Sequence, residues 1–267
     1  MKTRSLSSKK THNYPLLTAI ALAALSAFPV TGKSAELFKD TFTDVKDLNA
    51  AKWFTVGMPS GTPWGTGQDS TAPLSGTVLE NLGSSSGWQH VVRPFPATTL
   101  SKTGDSLTLK MDFRADSNTD GGFLDVALLN CAKNIDSNSF TDEAGNPLLN
   151  AKGYSAFQVC KTVPTENSFR KIANAASAFD APKKHLKNNS VVLTALQDDT
   201  KAHTLLLTLT KGESGTEMTW SIDGVVVGSA TDVDTSFDTF NTISLLAVSS
   251  NPVHFDNIAV STNDKKP

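Results

Sequence analysis

Hydrophobic and polar positions alternate most cleanly between Gly104 and Cys131. Leu107, Leu109, Met111 and Phe113 fall on one face, and Thr108, Lys110, Asp112 and Arg114 on the other. A period of two predicts a strand with one face in a core and one in water. A polar connection over 115–122 follows, and its Asp120-Gly121-Gly122 suits a tight turn. Phe123 to Leu129 then reads as a second, apolar strand. The pair predicts an antiparallel sheet.

The same pattern recurs along the chain. Strands are predicted over 36–42, 53–56, 77–82, 88–95, 154–159, 191–196, 203–211, 237–248 and 253–260. Pro94 and Pro96 are expected to end the strand that begins at Trp88. Met218 to Val227 is the clearest hairpin, with Asp223-Gly224 as a type I′ turn. Residues 57–76 are rich in Gly, Pro, Ser and Thr and predict a long loop carrying Trp64. Residues 130–153 predict a polar insertion, and 168–179 a short helix or a packed loop. Some ten to thirteen strands with almost no helix imply an all-β fold, a two-sheet antiparallel β-sandwich.

The first residues stand apart. Lys2, Arg4, Lys9 and Lys10 precede the uncharged, mostly apolar run 14–30, and small residues follow. This predicts a Sec-type signal peptide over 1–35, a sandwich domain over 36–262 and a tail over 263–267. The apolar run is short for a membrane span, which needs roughly 20 residues. The expected address is therefore secreted, periplasmic or cell-surface, with no membrane span after cleavage. Losing 1–35 leaves 19 basic residues against 26 acidic, a net charge of −7. Such a domain is a poor partner for nucleic acid.

Cys131 and Cys160 each end a predicted strand. In a simple antiparallel hairpin of those strands the thiols would lie roughly 23 Å apart. A disulfide needs Cα atoms within about 7 Å. A bridge would require another pairing, and the spacing leaves both states open.

Four segments in order carry a resemblance: WQHVVRPFPATTLSKTGDSLTLKMDFR, GGFLDVALLN, KAHTLLLTLTK with WSIDGVVV, and VHFDNIAV. Together they resemble the concanavalin A-like lectin/glucanase superfamily, in particular its secreted bacterial jelly-roll (LamG-type) members. The resemblance implies two stacked, curved sheets, with carbohydrate often held on the concave one. It also implies a structural calcium near the paired termini, for which Asp256 in the last strand occupies the matching kind of position.

The catalytic patterns of that superfamily are not matched. Its glucanases carry Glu-x-Asp-x-Glu on one strand, a spacing that turns both carboxylates toward one glycosidic bond. Here Asp125 matches the centre, but Phe123 and Ala127 stand where the glutamates would be. Lyases of the alginate-lyase type pair a Gln-x-His strand with Arg and Tyr. Here Gln89 and His90 are adjacent, and Tyr154 with His90 and Arg93 is the nearest set. No Gly-x-Ser-x-Gly elbow, His-Glu-x-x-His helix or phosphate-binding glycine loop occurs. The residues expected to meet a sugar are Trp64 and Trp88, whose rings would stack on it, with His90, Arg93 and Asp125 reading hydroxyls. The expected function is carbohydrate binding or extracellular recognition, with a polysaccharide or glycan as partner. The alternatives are a polysaccharide-degrading enzyme with a divergent site and a structural or adhesive surface protein.

Overall fold

The computed structural model describes residues 34–57, 64–83, 89–115, 122–141, 146–160, 168–173, 183–186, 200–234, 236–249 and 251–263. Its strands are β1 (Ala35–Asp40), β2 (Phe54–Gly57), β3 (Trp64–Asp69), β4 (Gly76–Asn81), β5 (Gln89–Thr99), β6 (Ser106–Ala115), β7 (Gly122–Asn130) and β8 (Lys152–Cys160), followed by β9 (Ser168–Ile172), β10 (Lys183–His185), β11 (His203–Lys211), β12 (Thr216–Ile222), β13 (Val225–Asp232), β14 (Thr239–Val248) and β15 (Val253–Thr262). They form two antiparallel sheets. The eight-stranded sheet runs β13-β12-β11-β6-β15-β4-β3, with β1 also paired to β15, and the seven-stranded sheet runs β10-β9-β8-β7-β14-β5-β2.

The alternation seen in the sequence sets the register of both sheets. In the first, Trp220, Leu207, Leu109 and Val260 stand side by side across β12, β11, β6 and β15. In the second, Val91, Leu245, Val126, Ala156 and Phe169 do the same across β5, β14, β7, β8 and β9. Both rows are buried and meet in one core between the sheets. Burying such rows is the main favourable term holding a sandwich together. The β12–β13 hairpin turns at Asp223 and Gly224, with φ of 51° and 79°. Two successive positive values are what a type I′ turn requires, and Asp-Gly supplies them at least cost.

A second apolar cluster lies outside this core. Val92, Ala127 and Leu129, on the opposite face of the seven-stranded sheet, are covered by Cys131, Ile135, Leu148 and Ala151. The described part of the polar insertion is thus an apolar flap over that outer face.

Three sequence expectations change. Ser168–Ile172 is a strand, not the start of a helix, because it pairs with Phe157 to Gly153 at the flank of the sheet. Strand β5 continues through Pro94 and Pro96 to Thr99. The β2 ladder stops at Phe54 opposite Val92, so beyond Val92 β5 has β14 as its ladder partner, and a proline facing the free side forfeits no ladder bond. The loop predicted over 57–76 contains β3, which starts at Trp64. The predicted strand 191–196 and Trp88 lie outside the described residues.

Candidate functional site

The outer face of the seven-stranded sheet carries a polar and aromatic row beside its apolar flap. Val56, His90, Leu246, Asp125, Phe157 and Ser168 stand in register across β2, β5, β14, β7, β8 and β9. One step along, Val92, Ser244, Ala127, Ser155 and Arg170 form the next row. The alternation that sends Leu124, Val126 and Leu128 into the core sends Phe123, Asp125 and Ala127 outward.

Asp125 and Arg170 form the charged centre of this face. Arg170 Nη1 lies 3.5 Å from Asp125 Oδ2, and both side chains are almost fully buried. The guanidinium carbon sits 3.3 Å from the centroid of the Phe157 ring. Phe123 adds a second ring, 5.1 Å from Phe157, and is half-buried. His90 Nδ1 is 2.9 Å from Ser244 Oγ. Asp125, Arg170 and Phe157 are nearly covered and form the floor of this face; the half-buried His90 and Phe123 present an imidazole and an aromatic ring above it. Those are the elements that read hydroxyls and stack on sugar rings.

The described strand residues of this face do not include the paired carboxylates of a glycosidase. Among the described strand residues of this face Asp125 is the one carboxylate, since Phe123 and Ala127 point the same way. A hydrolytic pair needs two groups roughly 5–10 Å apart.

The other predicted site residues go elsewhere. Trp64 is buried in the inter-sheet core, where its Nε1 donates to Gln89 O at 3.0 Å and its ring lies 5.8 Å from Phe255. An aromatic ring so covered is core packing rather than a stacking platform. Arg93 lies on β5 at odd spacing from His90 and packs against Phe38 of the other sheet, 4.5 Å from its ring, so it does not join the Asp125 face. Tyr154 is fully buried between the sheets and donates to Asp232 Oδ2 at 2.8 Å, while its oxygen accepts the Phe237 amide at 2.9 Å. Burial pushes its phenol well above the usual range. The Tyr154, His90 and Arg93 set is therefore dispersed over different faces.

Asp256 is also buried, and its carboxylate is committed. Oδ1 accepts the Asn257 amide at 2.7 Å and Oδ2 the Ser75 amide at 3.2 Å, where β15 bulges and Asn257 takes a φ of 51°. Burial raises its pKa, the two amides oppose that, and the charges of Asp112 and Asp40 raise it further. Among the described residues no three His, Cys, Asp or Glu side chains gather to hold a metal. Asp256 closes a bulge of β15, with the charges of Asp112 and Asp40 nearby.

Cys131 is a buried free thiol, raised to about 11 by burial. The β7–β8 register sets Gly122 opposite Cys160 and Asn130 opposite Lys152. The two cysteines therefore stand at opposite ends of the ladder.

One cluster escaped sequence reading. On the eight-stranded sheet His254 Nδ1 lies 2.6 Å from Asp69 Oδ2 and Nε2 lies 3.2 Å from Glu80 Oε1. Arg114 Nε reaches the same Asp69 oxygen at 2.7 Å. Burial would raise the Asp69 carboxyl, but hydrogen bonds from His254, the Thr71 amide and Arg114 outweigh it and hold it well below the usual carboxylate range. Gly67 makes room for this, since a Cβ there would sit 2.7 Å from Glu80 Oε2. The four residues come from four strands, and no local motif announces them.

Similarity to known proteins is confined to fold. No family model matches the chain, and no curated protein matches it. Among solved structures it is similar to an endo-1,3-β-glucanase from Streptomyces sioyaensis, with a TM-score of 0.49, 14% identity, and coverage of 88% of this chain and 98% of that one. A legume lectin-like domain from Entamoeba histolytica gives a TM-score of 0.49 at 10% identity, covering 85% and 97%. The carbohydrate recognition domain of Emp46p, in a potassium-bound form, gives 0.48 at 13% identity, covering 82% and 94%. The fold itself, a two-sheet antiparallel β-sandwich, is established by the strand pairing above.

Proposed function

We propose that this chain is an exported carbohydrate-recognition module that binds a glycan on the outer face of its seven-stranded sheet. The observation that carries the reading is the Asp125–Arg170 pair, set over the Phe157 ring with His90 in the same row. Charged, planar and aromatic groups converge there beside an apolar flap. Such a mix suits a ligand with hydroxyls at its edge and C–H groups on its faces. Asp125 as the one carboxylate among the described strand residues of that face favours binding over hydrolysis. Export is supported by the basic and apolar pattern of residues 1–35.

The test is a panel of polysaccharides presented to the purified protein, with retention and product release both recorded. Retention without products is the expected result. It should be lost in Arg170→Met while the far-ultraviolet spectrum is kept. Product release would replace the reading with an enzyme of polysaccharide breakdown. Neither behaviour across the panel would replace it with a structural or adhesive role.

A further inference from the structure

Arg93 marks a second, separate place on the molecule. Where β2 stops at Phe54, the side of β5 beyond Val92 opens onto a cavity of about 620 Å³. Phe38, Phe54, Pro94 and Pro96 give it apolar walls, and Arg93 and Lys52 line it together with one acid, Asp136. Its volume lies within the roughly 300–1,000 Å³ of small-molecule sites.

The guanidinium is held but not satisfied. Its plane is fixed by Phe38, 4.5 Å away, and by Nη1 donating to Pro94 O at 2.7 Å. Nε is buried and has no hydrogen-bond partner among the described residues. A buried donor without an acceptor is costly. The neighbouring acid is already engaged: Asp40 accepts from Trp53 Nε1 at 2.9 Å and from the Phe42 amide at 2.8 Å. Burial lowers the pKa of Arg93 and Asp40 raises it, the net direction being down. With Nη1 engaged and Nε covered, what Arg93 brings to the cavity wall is its fixed positive charge, which favours a carboxylate there.

We infer that this cavity is a binding site for a carboxylate-bearing sugar, a uronic acid residue whose carboxylate pairs with Arg93 and whose ring packs on Phe38, Phe54 and the two prolines. Lys52 adds a second positive charge at the wall. That the carboxylate belongs to a sugar rests on the carbohydrate reading above; the cavity itself lies apart from Asp125.

The experiment is calorimetric titration of the purified protein, in the presence of a chelator, with galacturonate, glucuronate, galactose and sodium sulfate. The inference expects a uronate to bind, galactose not to bind, and sulfate to bind more weakly than the uronate. Arg93→Met keeps the apolar stem on Phe38 and should weaken uronate binding by about tenfold or more, the loss of a charge-assisted pair. Should that variant fail to fold, Ala50→Trp, at an exposed position lining the cavity, should block binding by filling it. Val226→Ser, at an exposed position of the β12–β13 hairpin, should leave it unchanged. The inference is overturned if no uronate binds, if sulfate binds as tightly as the uronate, or if both Arg93→Met and Ala50→Trp bind it undiminished.

Discussion

Arg170 Nη1 stands 3.5 Å from Asp125 Oδ2 on the outer face of the seven-stranded sheet, and neither side chain has more than a sliver of exposed surface. Removing one member of a buried pair strands the other charge, which costs about 3 kcal/mol or more. Arg170→Met should therefore lower stability by that order in urea denaturation. The double variant Asp125→Leu with Arg170→Met should recover most of the loss, because no charge is left behind. A loss in the double variant equal to the sum of the losses in the two single variants would show that the two charges are not coupled.

Asp69 makes a pH prediction. Its folded pKa is depressed, so the unfolded state takes up its proton first as the solution is acidified. The stability it contributes is fully present above the ordinary aspartate range, near pH 4, and is lost as pH falls below it, at most about 1.4 kcal/mol per pH unit for one proton. Asp69→Asn should lower stability at pH 7 and flatten its decline below pH 4. Denaturant titrations between pH 7 and pH 3 check this; an unchanged slope in the variant would contradict it.

Asp256 should behave as a cap on a bulge. Asp256→Ala leaves the Ser75 and Asn257 amides without their acceptor. The expected cost is about 0.5–1.5 kcal/mol for each of these part-buried hydrogen bonds. A chelator should leave the melting temperature of the parent protein unchanged. A fall in that temperature, restored by calcium, would show that the carboxylate serves an ion after all.

Cys131 should be inert in the folded protein. Burial removes it from reagents, and a thiol pKa of about 11 leaves little thiolate at neutral pH. In a Cys160→Ser background, maleimide labelling should be negligible in buffer and complete in denaturant. Rapid labelling in buffer would mean that the flap over 131–151 opens readily.

The sequence carried the sandwich because alternation is a local signal. Leu107, Leu109, Met111 and Phe113 announce a buried face without reference to any partner strand. It missed β3 because Trp64-Gly-Thr-Gly-Gln-Asp reads as a loop; that segment is a strand by virtue of its pairing with β4. Pro94 and Pro96 misled for the same reason, since their tolerance depends on β5 lacking a neighbour on its β2 side there. At the site, Asp125 and His90 were legible from their neighbours in sequence. Arg170 was not, because it reaches Asp125 only across β8. The His254 cluster was likewise invisible, being assembled from positions 69, 80, 114 and 254. Trp64 misled in the other direction: a tryptophan among glycines and prolines looks placed for a ligand, yet here it seals the end of the core.

The most direct test of the account is an NMR map of backbone amide shifts in the labelled protein, titrated with an oligosaccharide of whichever polysaccharide it retains. The account predicts shifts concentrated on His90, Phe123, Asp125, Phe157 and Arg170, with the Asp69–His254 face unmoved. Shifts centred on the eight-stranded sheet instead, or none with any glycan, would contradict it.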